Sequence, residues 1–226
     1  MKLAFVCDFD GTVAPDDIGA GFVRRFGTGP DDALEAALAR WRRGEIGHRE
    51  LTQVECGRLR VTEPEAAEWV SAFALDPEFA PFARAAMTAG HRVSVASEGF
   101  DFYIAELLRR AGLDAVAYTS NRLRFDDGRA VAEFPHAGGC GRCGNCKGAR
   151  VDEQRRDGYT VVMVGDGYSD RCGAKAADHV VARGDLLEWC RGGGIAVQSF
   201  EGFAGLARWM HAASPNGGSP RGAPEC

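Results

Sequence analysis

The spacing of apolar residues shifts along this chain, and each shift marks a change of element. Residues 3–7 form a continuous apolar run of strand length, bounded by Gly11 and Pro15. From about Asp16 to about Ala74 the period becomes helical. Leu34, Leu38 and Trp41 share one face of residues 31–43, and Leu51, Val54 and Leu59 one face of residues 48–60. A third stretch, 63–75, has Pro64 in its first turn. The pattern predicts a helical cap over residues 14–75, inserted into a core made of residues 1–13 and 76–212.

Beyond residue 76 short apolar runs alternate with helical periods. Helices are predicted over 77–89, 100–110, 147–156 and 169–177, and strands over 91–96, 115–119, 160–164, 180–182 and 195–197. Segments 123–125 and 130–134 flank Asp126-Asp127-Gly128, a hairpin signal. Repeated strand–helix units imply an α/β fold with a parallel sheet covered by helices on both faces. Residues 213–226 are rich in Gly, Pro and Ser without periodicity and read as a loose tail.

Composition narrows the classes. With 226 residues and 45% hydrophobic content, the chain can bury a substantial core. No apolar run approaches the roughly 20 residues of a membrane span, and no secretory-signal pattern is visible. The net charge of −5 with scattered arginines argues against nucleic acid as a partner. Eight cysteines in so core-rich a chain are expected to be reduced thiols in the cytoplasm. Only three of the 27 basic side chains are lysines, so a retained lysine marks a position where a compact ammonium is needed.

The candidate chemistry lies just past strand ends. Asp8 and Asp10 follow the first strand. Ser97 follows the strand ending at Ala96, Lys147 opens a helix, and Asp166 and Asp170 follow the strand 160–164. In a parallel sheet such ends converge on one crevice. Paired carboxylates are costly without a cation or a shared proton. Oxygen-only ligands suit Mg²⁺, and a hydroxyl with an ammonium suits a phosphate.

Asp8-Phe9-Asp10-Gly11-Thr12, Ser97, Lys147 and Gly165-Asp166-Gly167-Tyr168-Ser169-Asp170 resemble, in order, the four motifs of the haloacid dehalogenase superfamily. The helical insertion resembles the phosphoserine phosphatase cap class. Phe100-Asp101-Phe102-Tyr103 and Cys143-Gly144-Asn145-Cys146-Lys147 are similar to the 2-hydroxy-3-keto-5-methylthiopentenyl-1-phosphate phosphatases of methionine salvage. The resemblance implies a Rossmann-like core and a Mg²⁺-dependent phosphatase acting on a small phosphorylated metabolite, with Asp8 as nucleophile and Asp10 as acid and base. It implies Mg²⁺ ligation by Asp8, the Asp10 carbonyl and Asp166, phosphate contacts from Thr12, Ser97 and Lys147, and an orienting role for Asp170. Asp16 and Asp17 with Arg58 or Arg60 are candidate substrate selectors. The methionine-salvage intermediate ranks first as substrate, then phosphoserine, then a specialised-metabolite phosphate. Phosphotransfer to a second substrate and a non-catalytic metal-thiolate or regulatory protein on the same scaffold are the rival readings.

Two features stand outside that scheme. Glu98 replaces the glycine that follows the motif serine in phosphoserine phosphatase, and is expected to face away from the phosphate or to meet a cap arginine. Cys140, Cys143 and Cys146 have zinc-ligand spacing, with His136 or another cysteine as a fourth ligand. A redox pair and a tightly packed thiol loop are the competing readings.

Overall fold

The computed structural model describes residues 1–213. Strand β1 (Leu3–Cys7) is buried along its whole length, as a strand covered on both faces must be. Leu3, Phe5 and Cys7 enter one core, and Ala4 and Val6 the opposite one. β1 pairs in parallel with β2 (Arg92–Phe100) on one side and β5 (Thr160–Gly165) on the other. Beyond β2 lie β3 (Ala117–Asp126) and β4 (Arg129–Glu133); beyond β5 lie β6 (His179–Ala182) and β7 (Gln198–Ser199). The sheet order is β4-β3-β2-β1-β5-β6-β7, parallel throughout except for the β3–β4 hairpin. The chain first builds outward from β1, then returns to its other side. That reversal opens a crevice at the carboxyl ends of β1 and β5.

Four helices separate β1 from α5 (Phe79–Thr88): α1 (Ile18–Phe26), α2 (Asp32–Arg42), α3 (His48–Arg58) and α4 (Glu63–Ser71). Asp17 caps α1 by accepting from the Ala20 N–H. Thr62 and Glu65 form a capping box that starts α4. Ala37, Ile46 and Leu51 make a small separate core under α2 and α3. Phe22, Cys56, Leu59, Ala66 and Val70 instead join the main core. Helices α6 (Asp101–Arg110), α7 (Lys147–Arg156), α8 (Arg171–Ala176), α9 (Gly184–Gly192) and α10 (Phe203–Ala213) complete the layers. On one face Phe5 meets Phe82 edge-on at 5.0 Å, and Phe203 of α10 packs on Phe79 and Phe82 at 4.9 and 5.5 Å. On the other, Val151 of α7 packs against Val6 and Met163.

The α/β class agrees with the sequence reading, but several elements differ. The strands predicted over 115–119 and 123–125 are one ten-residue β3, which pairs with β2 through Asn121 and with β4 from Arg122 onward. Asn121 there is fully buried and donates to the Glu98 carbonyl at 2.5 Å. Residues 195–197 are not a strand; the pairing falls at Gln198–Ser199 against Val181 and Ala182. Helices α9 and α10 are absent from the sequence reading. The glycines around α9 read as turns, yet Leu186 and Cys190 are buried by its packing. The predicted helix 169–177 divides into a 3₁₀ turn, Tyr168–Asp170, and α8. Of the predicted tail, Ala213 closes α10 and the remainder lies outside the described residues.

Phe82→Ala empties the meeting point of Phe5 and Phe203 and is expected to lower unfolding free energy by about 3–5 kcal/mol. Urea denaturation measures it. A loss under about 1 kcal/mol would mean that these rings are not the packing centre of this face.

Candidate active site

Lys147 is fully buried, and its Nζ lies 2.6 Å from Asp8 Oδ1 and 2.5 Å from Asp170 Oδ1. It also donates to Ser169 Oγ at 3.1 Å. Burial pulls its pKa down, but Asp170 and Asp8 more than reverse this, holding it above the ordinary lysine value. Asp170 Oδ2 accepts the N–H groups of Asp166 and Gly167, both at 3.0 Å. Asp170 thus spends one oxygen on the lysine and the other on the loop after β5.

Asp8 receives the Phe9 N–H at 2.7 Å and the Lys147 ammonium, both on Oδ1; Oδ2 carries neither bond. Burial, then Asp170, raises its pKa well above the usual carboxylate value. Asp166 is raised by the same two causes and accepts the Thr12 hydroxyl at 3.2 Å. Carboxylate oxygens of Asp8, Asp166 and Asp170 lie within 4.8 Å of one another. Three carboxylates face one ammonium, so an added divalent cation balances charge there, and their hard oxygen donors fit Mg²⁺.

Asp10 is held differently. Its Oδ1 accepts from Ile18 N at 2.9 Å and Gly19 N at 3.2 Å, at the start of α1. Its Oδ2 accepts the Tyr103 hydroxyl at 2.6 Å. Burial pushes its pKa up to about 6, and the tyrosine and amides pull against that rise. The Asp10–Tyr103 contact needs Gly99, where a Cβ would lie 1.7 Å from the Tyr103 oxygen. Gly11 is equally constrained, with φ +74° and a Cβ that would lie 2.5 Å from Asp166 Oδ2.

Ser97 is buried where β2 passes the crevice, and its Oγ accepts the Gly99 N–H at 2.9 Å, leaving its own proton to donate. Glu98 points the other way: its Oε2 accepts from Gly144 N at 2.9 Å and Asn145 N at 3.1 Å. Its partners are therefore amides of the cysteine loop, and the expected cap arginine is not among them. The remaining candidates are dispersed. Asp17 is spent on capping α1, and Asp16 is exposed with its carbonyl accepting the Gly11 N–H. Arg58 binds Asp31 at 2.7 Å and the Gly29 carbonyl, and Arg60 binds the carbonyls of Gly57 and Leu59. None of these four is bonded to the strand-end cluster.

Sequence reasoning gave no role to two residues that the fold brings forward. Tyr103 reaches Asp10 from α6, one residue past the aromatic Phe102, and its only sequence signal was the Phe100–Tyr103 segment. Glu55 of α3 is pushed up to about 7 by burial and by Asp17. A lone helical glutamate carries no such signal in sequence. Trp41 packs with Leu34 and Leu38 against the small core under α2 and α3, and its ring also meets Tyr168, centroids 4.8 Å apart, joining α2 to the loop after β5.

A Rossmann-like sheet with clustered carboxylates and a buried lysine at its strand ends has the layout in which α/β folds bind ligands at a reversal of strand order. The chain belongs to the haloacid dehalogenase-like hydrolase family, whose model matches residues 5–175. It is 29% identical over 212 residues to a 2-hydroxy-3-keto-5-methylthiopentenyl-1-phosphate phosphatase of Exiguobacterium sibiricum, covering 90% of this chain and 94% of that one. A Brevibacillus brevis protein of the same name is 29% identical over 194 residues, covering 83% and 85%. Among solved structures, a substrate-bound phosphoserine phosphatase aligns with TM-score 0.70 at 18% identity over 92% of this chain and 98% of that one. A phospho-aspartyl intermediate analogue of phosphoserine phosphatase aligns with TM-score 0.68, with the same identity and coverage. Among the described residues no helix is long and apolar enough to cross a membrane.

Asp10 titrates higher in the folded chain than in the unfolded one, so its ionisation opposes folding as pH rises from about 4 through about 6. Asp10→Asn is therefore expected to raise Tm relative to the parent above pH 6, with the gain fading toward pH 4. Thermal melts across that range in metal-free buffer measure it; a gain independent of pH would contradict the raised carboxyl.

Proposed function

We propose that this chain is a Mg²⁺-dependent phosphomonoester phosphatase that works through an aspartyl-phosphate on Asp8. The observation that carries the reading is the division of labour between two nearby carboxyls. Asp8 is oriented by Lys147 and the Phe9 amide on one oxygen, leaving the other free to attack. The Lys147 ammonium favours its ionised form against burial and Asp170, and a divalent cation would add to that. Asp10 is hydrogen-bonded at both oxygens, with a pKa near 6, as suits a group that must exchange its proton near working pH.

Asp8 Oδ2 attacks phosphorus, forming the acyl phosphate as the bond to the substrate oxygen breaks. Asp10 gives its proton to the departing alkoxide, then accepts one from the water that hydrolyses the acyl phosphate. Lys147 and the Ser97 hydroxyl hold phosphoryl oxygens, and Thr12 fixes Asp166 through its hydroxyl. Asp8, the backbone carbonyl of Asp10 and Asp166 are the residues to hold Mg²⁺. When bound, the ion neutralises charge on the phosphoryl oxygens. Asp170 keeps Lys147 in place. Helices α1–α4, attached at Asp10 through the α1 amides, act as the cap that excludes water.

The substrate is a small phosphorylated metabolite. The methionine-salvage intermediate ranks first, supported by near full-length similarity to proteins named for it. Phosphoserine ranks second, supported by fold alone. Its carboxylate needs a cation, and Arg58 and Arg60 are bonded elsewhere. Asp17 beside Asp10, with Glu55 beside Asp17 in turn, favours a neutral or hydroxyl-bearing substrate body over a second anionic group. The seven described cysteines are free thiols, which fits a reducing cytoplasm. The thiol cluster beside Lys147 is a candidate second metal site, with zinc as the metal.

A screen of phosphorylated metabolites with and without Mg²⁺ tests the reading. Activity is expected only with the divalent ion, with a higher kcat/KM on 2-hydroxy-3-keto-5-methylthiopentenyl-1-phosphate than on phosphoserine. Asp8→Asn is expected to lose on the order of 10³-fold or more in kcat while its circular dichroism and Tm stay folded. Binding of phosphoesters without turnover by the parent would favour the non-catalytic reading. Preserved turnover in Asp8→Asn would remove Asp8 as nucleophile.

A further inference from the structure

The loop before α7 gathers sulfur that phosphoryl transfer does not use. The Sγ atoms of Cys140, Cys143 and Cys146 lie within 4.8 Å of one another. Tetrahedral zinc with Zn–S bonds of ~2.3 Å places its sulfurs about 3.8 Å apart, so the loop is already close to a ligating arrangement. A fourth thiol arrives from another element. Cys172 of α8 lies outside the mutual set of three, but its side chain contacts that of Cys143. Helices α7 and α8 are pressed together there, since a Cβ on Gly148 would lie 3.1 Å from the Cys172 carbonyl oxygen and 3.5 Å from its Cβ. We propose that Cys140, Cys143, Cys146 and Cys172 bind one structural zinc ion that ties the cysteine loop to α8.

Two observations outside the thiols support this. The start of α7 turns the Gly148 and Ala149 amides toward the Cys146 sulfur, as outer-shell N–H groups are placed around metal thiolates. The loop is also rigidly seated. Glu98 Oε2 takes two of its amides, and Asn145 donates to the carbonyls of Ser97 at 2.9 Å and Thr119 at 2.8 Å. His136 contributes its backbone carbonyl to Cys146 N, and its ring does not belong to the thiol set.

Soft thiolates select zinc over the hard ion of the carboxylate site, and four protein sulfurs leave no open position for a reacting water. The role is positioning. Cys146 directly precedes Lys147, and Cys172 follows Asp170 by two residues. Arg142, inside the loop, donates to the carbonyls of Gly44 and Ile46 between α2 and α3. One ion thus joins the lysine, its aspartate partner and the helical segment over the crevice.

The test is independent of phosphatase activity. Elemental analysis of the full chain, purified under reducing conditions without added chelator, is expected to give about one zinc per chain. X-ray absorption at the zinc edge is expected to show four sulfurs at ~2.3 Å. Cys172→Ser is expected to weaken zinc retention against a competing chelator by at least about 10-fold, with Cys172→His restoring part of it and His136→Ala leaving it unchanged. Less than about a tenth of an equivalent of zinc, iron in its place, or a Cys140–Cys143 disulfide would overturn the proposal. Zinc held by three sulfurs and one nitrogen, or lost in His136→Ala but kept in Cys172→Ser, would overturn the assignment of Cys172. The spectrum of the unmodified protein decides this even if Cys172→Ser fails to fold.

Discussion

A buried ammonium between two aspartates is the contact on which the rest of the crevice depends. Lys147 has no exposure to water, and Asp8 and Asp170 are almost as deeply placed. Any one of these charges alone would cost several kcal/mol of desolvation. Together with the amides of Phe9, Asp166 and Gly167 they satisfy one another and fix three chain segments distant in sequence. The arrangement still carries more negative than positive charge, which is the physical ground for a divalent cation there.

Around that pair the crevice separates two carboxyls by environment. Asp8 lies among like charges and a cation, while Asp10 lies between helix amides and a tyrosine hydroxyl. Neither environment resides in the motif itself. Asp10 depends on Gly99 for the close approach of Tyr103, and on the turn at Gly11 for the start of α1. The opposite orientation of Glu98 belongs to the same design. One residue past Ser97, the chain spends its carboxylate on the cysteine loop, so the side of β2 facing the crevice stays free of an added negative charge.

Much of the α/β pattern was legible because strands buried on both faces read as unbroken apolar runs, as in β1 and β5. The β3 strand was harder, since Ser120 and Asn121 are buried polar residues within it, and Asn121 finds its partner on β2, at the Glu98 carbonyl. Helices α9 and α10 were hidden by flanking glycines and short apolar repeats; α9 packs at the β6 end of the sheet, and α10 on α5 and the β1 face. The strand-end residues were visible as a group because turns after parallel strands converge. Tyr103 and Glu55 were not, because a tyrosine or glutamate on a helix face has no local mark of what the opposite element places against it.

The order of apolar runs, the acidic turns after strands one and five, the rare lysine and the cysteine spacing are local properties, and sequence alone determined them. Their mutual distances are not local. Which oxygen of Asp8 meets Lys147, where Glu98 points, how Arg58 and Arg60 are spent and which fourth thiol approaches the loop follow from packing between segments as far as 154 residues apart. Only the tertiary structure decided these, because burial and charge pairing act between neighbours in space.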